Sequence, residues 1–357
     1  MVAEKALHNP SAYATMNQKQ KEPLVMEKIT IRANDFAPRD GRLSVFFKKM
    51  FEKKSDGFAA VFDGEVYVID VGGKRDGEML RFLTELRAEW LKGARSLADA
   101  EKARLEIHVI ISHSHPDHVG ALPFLLADPR LCVVELLAPR RSYRSLPGPD
   151  FLPELAAFEE RLHGSLSLLS EYHHKTANLI ELPYGKVYSI RPQKANVEID
   201  IYTAPFDWSE NEEAYRYLIE NNAKNSIFYV DHPEVGCANG SLNGNSLWVR
   251  IRKGKKVILI TGDQRADDAM LGRMIRHYGE EPFRCDVLKL LHHGTNCYPP
   301  KLIQIASPSI TIFTVFRELA TPETVAHCER VSTPYFLGGK NLILTLDGES
   351  IEAKQYE

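Results

Sequence analysis

Three histidines and one aspartate fall within six positions of this chain: His113, His115, Asp117 and His118, in the run His-Ser-His-Pro-Asp-His. The apolar segment Leu105–Ile111 precedes them and reads as a strand. In an extended segment, side chains two apart point the same way. His113 and His115 can therefore share one ion. Pro116 restricts the backbone, and Asp117 and His118 follow as the chain turns toward a helix, so they reach a neighbouring point. The spacing offers two ligands to one ion and two to another. Imidazole nitrogen with carboxylate oxygen suits Zn²⁺ or Mn²⁺, with Fe²⁺ as a further option, and the lack of nearby thiols argues against a Cys-rich structural zinc site. A lone histidine would ordinarily line a polar loop. Four such groups at a strand end point to metal instead.

Four ligands do not fill two coordination shells, so others must come from distant strand ends. Val257–Asp263 (VILITGD) is an apolar strand closed by Thr-Gly-Asp, and a carboxylate just beyond a buried strand can bridge two cations. Asp286–Thr295 (DVLKLLHHGT) ends in His292, His293 and Gly294, where glycine allows a sharp turn. Alone, Asp263 reads equally well as a helix N-cap, and His292 as a packed core residue. With the cluster they form one consistent set.

The elements that must hold these residues are legible as patterns. Leu43–Phe47, Phe58–Phe62 and Val66–Asp70 read as strands, the last two joined by an Asp63-Gly64 turn. Met79–Leu91 has apolar residues at helical spacing, and Val133–Leu137 is a strand. A short helix is expected over Val119–Leu126. The stretch from about 147 to 185 reads as a helical insertion, Val197–Thr203 as a strand and Trp208–Glu220 as a helix. Leu247–Ile251 and Lys256–Thr261 flank a Lys253-Gly254 turn. Asp267–Tyr278 and Pro300–Ala306 are expected helices; Val287–Leu291, Ile310–Phe313 and Leu342–Thr345 are expected strands. Two β-rich halves with helices predict an α/β chain of two packed sheets with helices outside.

With 357 residues, 44% hydrophobic and 26% charged, the chain has ordinary globular composition. A formal net charge of -3 excludes an overall basic field for nucleic acid. No apolar run is long enough for a membrane span. Residues 1–25 are polar, lack the apolar core of a secretory signal, and read as a disordered arm. Residues 26–357 are expected to form a single domain. The five cysteines, Cys132, Cys237, Cys285, Cys297 and Cys328, are scattered and odd in number, which suits reduced thiols in a cytoplasm.

The run His113-Ser-His115-Pro-Asp117-His118 resembles the HxHxDH signature of the metallo-β-lactamase superfamily. The resemblance extends over nearly all the chain after residue 40 and implies an αββα four-layer sandwich. Val66–Gly73 (VYVIDVGG) is similar to the family's early strand-Asp-x-Gly element, which implies that Asp70 supports the metal loop from behind the ligands. Asn243–Ile251 (NGNSLWVRI), with Thr261-Gly262-Asp263 and His292-His293-Gly294, resembles the hydrolase domain of the competence protein ComEC and its stand-alone relatives. That likeness implies His293 as the late ligand, His292 as the fallback, and Asp263 as the bridge. A further histidine often completes the first site; the candidates are His163, His173, His174 and His232, with His232 best placed. The competence proteins' membrane channel has no counterpart in the sequence.

The resemblance implies a metal-dependent hydrolase with a two-metal centre that activates water and clamps the attacked group. Asp117 serves as ligand and proton acceptor. A phosphodiester, nucleic-acid or small-molecule, is the natural substrate, with no membrane involved. Arg140, Arg141 and Arg144, or Lys253, Lys255 and Lys256, are candidate phosphate contacts, or else solvated surface. An ester, thioester or lactone hydrolase is the alternative, favoured by the acidic balance. A non-catalytic metal-binding partner module is the second alternative. An oxygen-reducing iron role fits less well, because His115 stands where such members carry Glu.

Overall fold

Three strands open the described chain, β1 (Leu43–Phe47), β2 (Gly57–Phe62) and β3 (Glu65–Val71), and nearly every side chain in them is buried. Burial on both faces makes a strand read as a continuous apolar run rather than an alternating one. The alternation is in destination. Leu43, Val45 and Phe47 join one core, while Phe46 joins another on the opposite face. The same holds for Phe58, Ala60 and Phe62 against Ala59 and Val61. Asp63 (φ 43°) and Gly64 (φ 89°) turn β2 into β3, in the left-handed region expected of that pair.

The computed structural model describes residues 41–49, 55–73, 77–92, 103–113, 115–139, 178–192, 196–205, 246–264, 268–296 and 298–356. The remaining strands are β4 (Leu105–Ile110), β5 (Leu131–Pro139), β6 (Asn178–Leu182), β7 (Val187–Ile190), β8 (Val197–Tyr202), β9 (Trp248–Lys253), β10 (Lys256–Ile260), β11 (Val287–Lys289), β12 (Ile310–Phe313), β13 (Thr333–Phe336), β14 (Asn341–Leu346) and β15 (Ile351–Tyr356). The helices are α1 (Glu78–Leu91), α2 (Pro116–Val119), α3 (Leu122–Ala127), α4 (Asp268–Tyr278), α5 (Pro300–Ala306) and α6 (Pro322–Val331).

One sheet has the order β15-β14-β1-β2-β3-β4-β5-β6, and the other β13-β12-β11-β10-β9-β8-β7. Within them, β3 to β6 run parallel, as do β10 to β13. Three apolar clusters stack across the molecule. The middle one joins the inner faces of both sheets, through residues such as Phe58, Ile69, Val249, Ile258 and Leu344. A second packs α1 and α3 on the outside of the first sheet through Met79, Leu83, Leu122 and Leu126. The third packs α4, α5 and α6 on the outside of the second through Leu271, Met274, Leu302 and Val325. Each fully buried Leu or Phe here contributes about 1.5–3 kcal/mol. This is the αββα sandwich.

Two expectations are corrected. The helical stretch expected over 147–185 ends in a strand, because Asn178–Leu182 forms β6. The open edge of β5 takes β6 in parallel register, Glu135 opposite Asn178 through Pro139 opposite Leu182, and that pairing overrides the local pattern. The helix expected over Val119–Leu126 is two short ones, α2 and α3. Pro116 opens α2, where its fixed φ and missing N–H are tolerated. Residues 147–177, the arm 1–25 and the helix expected over Trp208–Glu220 lie outside the described residues. Among the described residues, no helix is long and apolar enough to cross a membrane.

Candidate metal centre

The chemically distinctive residues sit at the carboxyl ends of four strands. Asp70 is the penultimate residue of β3, and Ser112 to His118 follow β4. Thr261-Gly262-Asp263 follows β10, and a 3₁₀ turn, Leu291–Gly294, follows β11. Parallel pairing of β3 with β4 and of β10 with β11 brings each pair of ends side by side. In α/β sheets this is where ligands bind. Leu247 N–H donates to Ser112 O (2.9 Å) and ties the two sheets together there, and within the second sheet Asp263 N–H donates to Ser246 Oγ (3.0 Å). A Cβ at residue 262 would lie 2.4 Å from Ser246 Cβ, so Gly262 permits that approach. Gly294 (φ 84°) is similarly required, since a Cβ would meet Phe313 Cδ1 at 2.3 Å. Left-handed φ also occurs at Asp70 (54°), His292 (48°) and His293 (61°). Each costs on the order of 1–3 kcal/mol, and such strain gathers at functional sites.

Each histidine that faces the centre is held from behind. His118 Nδ1 lies 2.7 Å from Asp70 Oδ2, and Asp70 also accepts from Ser112 N–H (2.7 Å) and Ser112 Oγ (2.6 Å). The Ser112 hydroxyl in turn lies 3.0 Å from His113 Nδ1. Asp70 thereby orients His118 directly and His113 through Ser112. His293 Nδ1 lies 2.9 Å from Asp56 Oδ1 and 2.9 Å from Thr314 Oγ1. These contacts place the Nδ1–H of both His118 and His293 toward a carboxylate and leave Nε2 as the acceptor pointing inward, the arrangement common behind metal-binding imidazoles.

The inward atoms converge. Asp263 Oδ2 is 2.9 Å from His293 Nε2 and 3.3 Å from His118 Nε2, and Asp117 Oδ2 is 3.3 Å from His293 Nε2. His113 Nε2 meets His115 Nδ1 at 3.1 Å, and the rings of His113 and His118 are 4.0 Å apart. His118 Nε2, His293 Nε2 and Asp263 Oδ1 are buried without a hydrogen bond of good geometry. Ligand atoms about 2.0–2.1 Å from a tetrahedral cation lie roughly 3.4 Å apart. The spacings and the bare nitrogens therefore fit a metal ion. Four groups, Asp56, His118, Asp263 and His293, each offer a ligand atom within 4.8 Å of the others. Asp56 approaches the Nδ1 side of the imidazoles, whereas Asp117 approaches the Nε2 side. Asp117 is thus better placed as a ligand, and Asp56 as its support.

Charge dominates the site. Burial opposes ionisation of Asp263, but His293, His118 and Lys289 outweigh it and hold the carboxyl well below its usual range. The same competition lowers Asp117, through His118 and His293. Burial likewise opposes charging of the histidines, yet Asp263, Asp70 and Asp117 raise His118 well above its usual range, and Asp263 and Asp56 push His293 up to about 10. His113 is pushed the other way, by burial and by His118. In metal-stripped protein, protons on His118 and His293 thus do part of a cation's work. Their stabilising effect is full below the unfolded value near 6.5 and is lost as pH rises toward 10. The melting temperature of chelated protein should therefore fall between pH 6.5 and 10, with the metal-loaded protein falling less. A flat profile for the chelated protein would show these imidazoles to be neutral.

The structure brings His113, His115, Asp117, His118, Asp263 and His293 together, with Asp70 behind them. His292 turns away, its Nδ1 3.0 Å from Thr295 O. Two participants were not expected. Asp56, buried just before β2, and Lys289, buried at the end of β11, form an ion pair beside Asp263. A lysine inside the apolar run VLKLL was the available signal. Asp56 carried none. Lys253 is buried, Lys255 pairs with Glu349 (2.9 Å) and Lys256 with Asp286 (3.0 Å), all at the far end of β10 from Asp263. Burial raises the thiols of Cys285 and Cys328, the latter to about 11, as suits core filler. Arg140, Arg141, Arg144, Asn243, His163, His173, His174 and His232 lie outside the described residues.

Residues 58–143 match the family model of the Metallo-beta-lactamase superfamily. No curated protein matches the chain. Similar solved structures include the metallo-beta-lactamase fold protein YhfI from Bacillus subtilis, at 10% identity and a TM-score of 0.40, covering 88% of this chain and 100% of that one. The short form of human tRNase Z is 13% identical with a TM-score of 0.38, over 82% and 96% of the two chains. MEM-A1, a subclass B3 metallo-beta-lactamase from a soil metagenome library, is 13% identical with a TM-score of 0.35, over 80% and 89%. These likenesses are too distant to bear on the reaction. The matched segment runs from β2 through the histidine cluster to the end of β5, and the other strands complete the sandwich around the same buried residues: the chain has the metallo-β-lactamase fold, with a buried Asp/His site of the kind a metal-dependent hydrolase uses.

Proposed function

We propose that the chain is a two-metal phosphodiesterase of the competence-protein (ComEC-like) type, acting on a nucleic-acid or small-molecule phosphodiester. The observation that supports two ions is the division of ligands around Asp263. His118 and His293 contact its Oδ2, while His113 and His115 form a second imidazole pair beside His118. When bound, Zn²⁺ or Mn²⁺ would lower the pKa of a water and neutralise charge on the attacked group. His113 and His115 would hold one ion, Asp117, His118 and His293 the other, with Asp263 shared. Asp117 is 19% exposed, the most open of the carboxylates here, and so is the group best placed to accept a proton from solvent-delivered water. The site gathers four carboxylates, Asp56, Asp70, Asp117 and Asp263, of which Asp56 and Asp263 pair with the ammonium of Lys289. That surplus of negative charge repels an anionic substrate until divalent cations balance it.

The competence-type assignment is supported by Ser246 and the Thr-Gly-Asp and His-His-Gly turns, which pack on one another. Asp263 N–H donates to Ser246 Oγ, Thr261 Oγ1 donates to Lys289 O (2.7 Å), and His292 N–H donates to Gly262 O (3.2 Å). The second reading is hydrolysis of an ester, thioester or lactone at the same centre. The test is turnover of bis(p-nitrophenyl) phosphate against a simple lactone and thioester, with Mn²⁺ and Zn²⁺ compared. Phosphodiester cleavage, reduced about 10²–10⁴-fold in Asp117→Asn, is the expected result. Turnover of the lactone or thioester with the phosphodiester untouched would replace the reading.

A further inference from the structure

We propose that Asp56 and Lys289 form a positioning pair that sets His293 and Asp263 for metal; the inference rests on the metal-hydrolase reading above. Neither side chain is exposed at all. Val287 and Leu288, the other residues of β11, enter the inner and outer cores, so Lys289 points into the space between the sheets. An apolar residue would pack there without having to lose the hydration of a charge. The ammonium is held by contacts that lead to the candidate ligands.

Those contacts close a ring. Lys289 Nζ pairs with Asp56 Oδ2 and lies 3.5 Å from Asp263 Oδ1. Asp56 Oδ1 lies 2.9 Å from His293 Nδ1, and His293 Nε2 lies 2.9 Å from Asp263 Oδ2. Each carboxylate gives one oxygen to the lysine and the other to the histidine. Two consequences follow. Asp56 keeps the proton of His293 on Nδ1, so Nε2 faces Asp263 and Asp117. Lys289 fixes Asp263 Oδ1, so Oδ2 is the oxygen turned to both imidazoles. The pair serves His293 as Asp70 serves His118, and the lysine adds control of the bridging carboxylate.

The experiment compares wild type with Asp56→Asn, Lys289→Met and the double variant. All are stripped with chelator and titrated with Zn²⁺ and Mn²⁺, and the visible absorption of Co²⁺-loaded protein is recorded. Each variant is expected to bind about 10–100-fold more weakly, the range for groups that orient a ligand. The double variant should lose no more than the worse single, because the ring acts as a unit. The Co²⁺ bands should shift in all three, a change that a purely structural pair would not produce. The double variant removes both charges together, so it remains informative if a lone buried charge unfolds either single variant. Wild-type affinity and wild-type Co²⁺ spectra in the variants, with only a lower melting temperature, would overturn the proposal and leave the metal reading standing. Wild type that binds none of the three metals would overturn both.

Discussion

Asp263→Asn is expected to cost more metal affinity than any other single substitution at this centre. Asp263 is 1% exposed, and its Oδ2 lies within 3.3 Å of both His118 Nε2 and His293 Nε2. The amide keeps the shape and removes the charge that draws the two histidines and Lys289 together. Groups that merely orient a ligand are worth about 10–100-fold in affinity. A shared ligand should exceed that range, with hydrolysis falling on the order of 10³-fold, as when a main electrostatic group is removed from a reacting centre. Titration of stripped protein with Zn²⁺ measures the first effect, and turnover of the best substrate in the panel measures the second. Retention of wild-type metal affinity would mean that Asp263 contacts no ion.

Chelation is the second large effect. Exhaustive treatment with EDTA should abolish hydrolysis, and Mn²⁺ or Zn²⁺ should restore it. Metal bound only by the folded chain stabilises it by about 4 kcal/mol at a thousandfold excess over Kd. For a chain of this size that is roughly 6 °C in melting temperature. The direction follows from the charges. Removing cations leaves Asp56, Asp70, Asp117 and Asp263 opposed by Lys289 and by whatever protons His118 and His293 hold. Thermal unfolding at pH 8 with and without chelator, alongside elemental analysis, decides it. Unchanged melting and undiminished turnover in metal-stripped protein would remove the metal from the reaction.

Much of the fold is legible in the chain's apolar patterning, and the failures have definite causes. Leu43–Phe47, Met79–Leu91, Pro300–Ala306 and the Asp63-Gly64 turn depend on local signals, and the structure forms them where those signals lie. Asn178–Leu182 continues a locally helical pattern, and its strand character comes from β5, about 40 residues earlier in sequence. Thr333–Phe336 has little pattern of its own and becomes β13 by joining the edge of β12. Parallel edge strands draw their stability from a partner, so a local reading misses them.

The candidate centre divides in the same way. Sequence by itself determined which residue types could serve and that they stand at strand ends: three histidines and an aspartate after β4, a carboxylate after β10, two histidines after β11. That much follows from spacing, because a strand's polar end is visible where its apolar run stops. Only the tertiary structure decided which imidazole nitrogen faces inward and that Asp56 and Lys289 belong to the same network. The physical reason is that these depend on contacts between residues as far apart as Asp56 and His293, 2.9 Å from each other across two sheets. A buried lysine or aspartate announces nothing in one dimension. Its meaning is its partner, and packing chooses the partner.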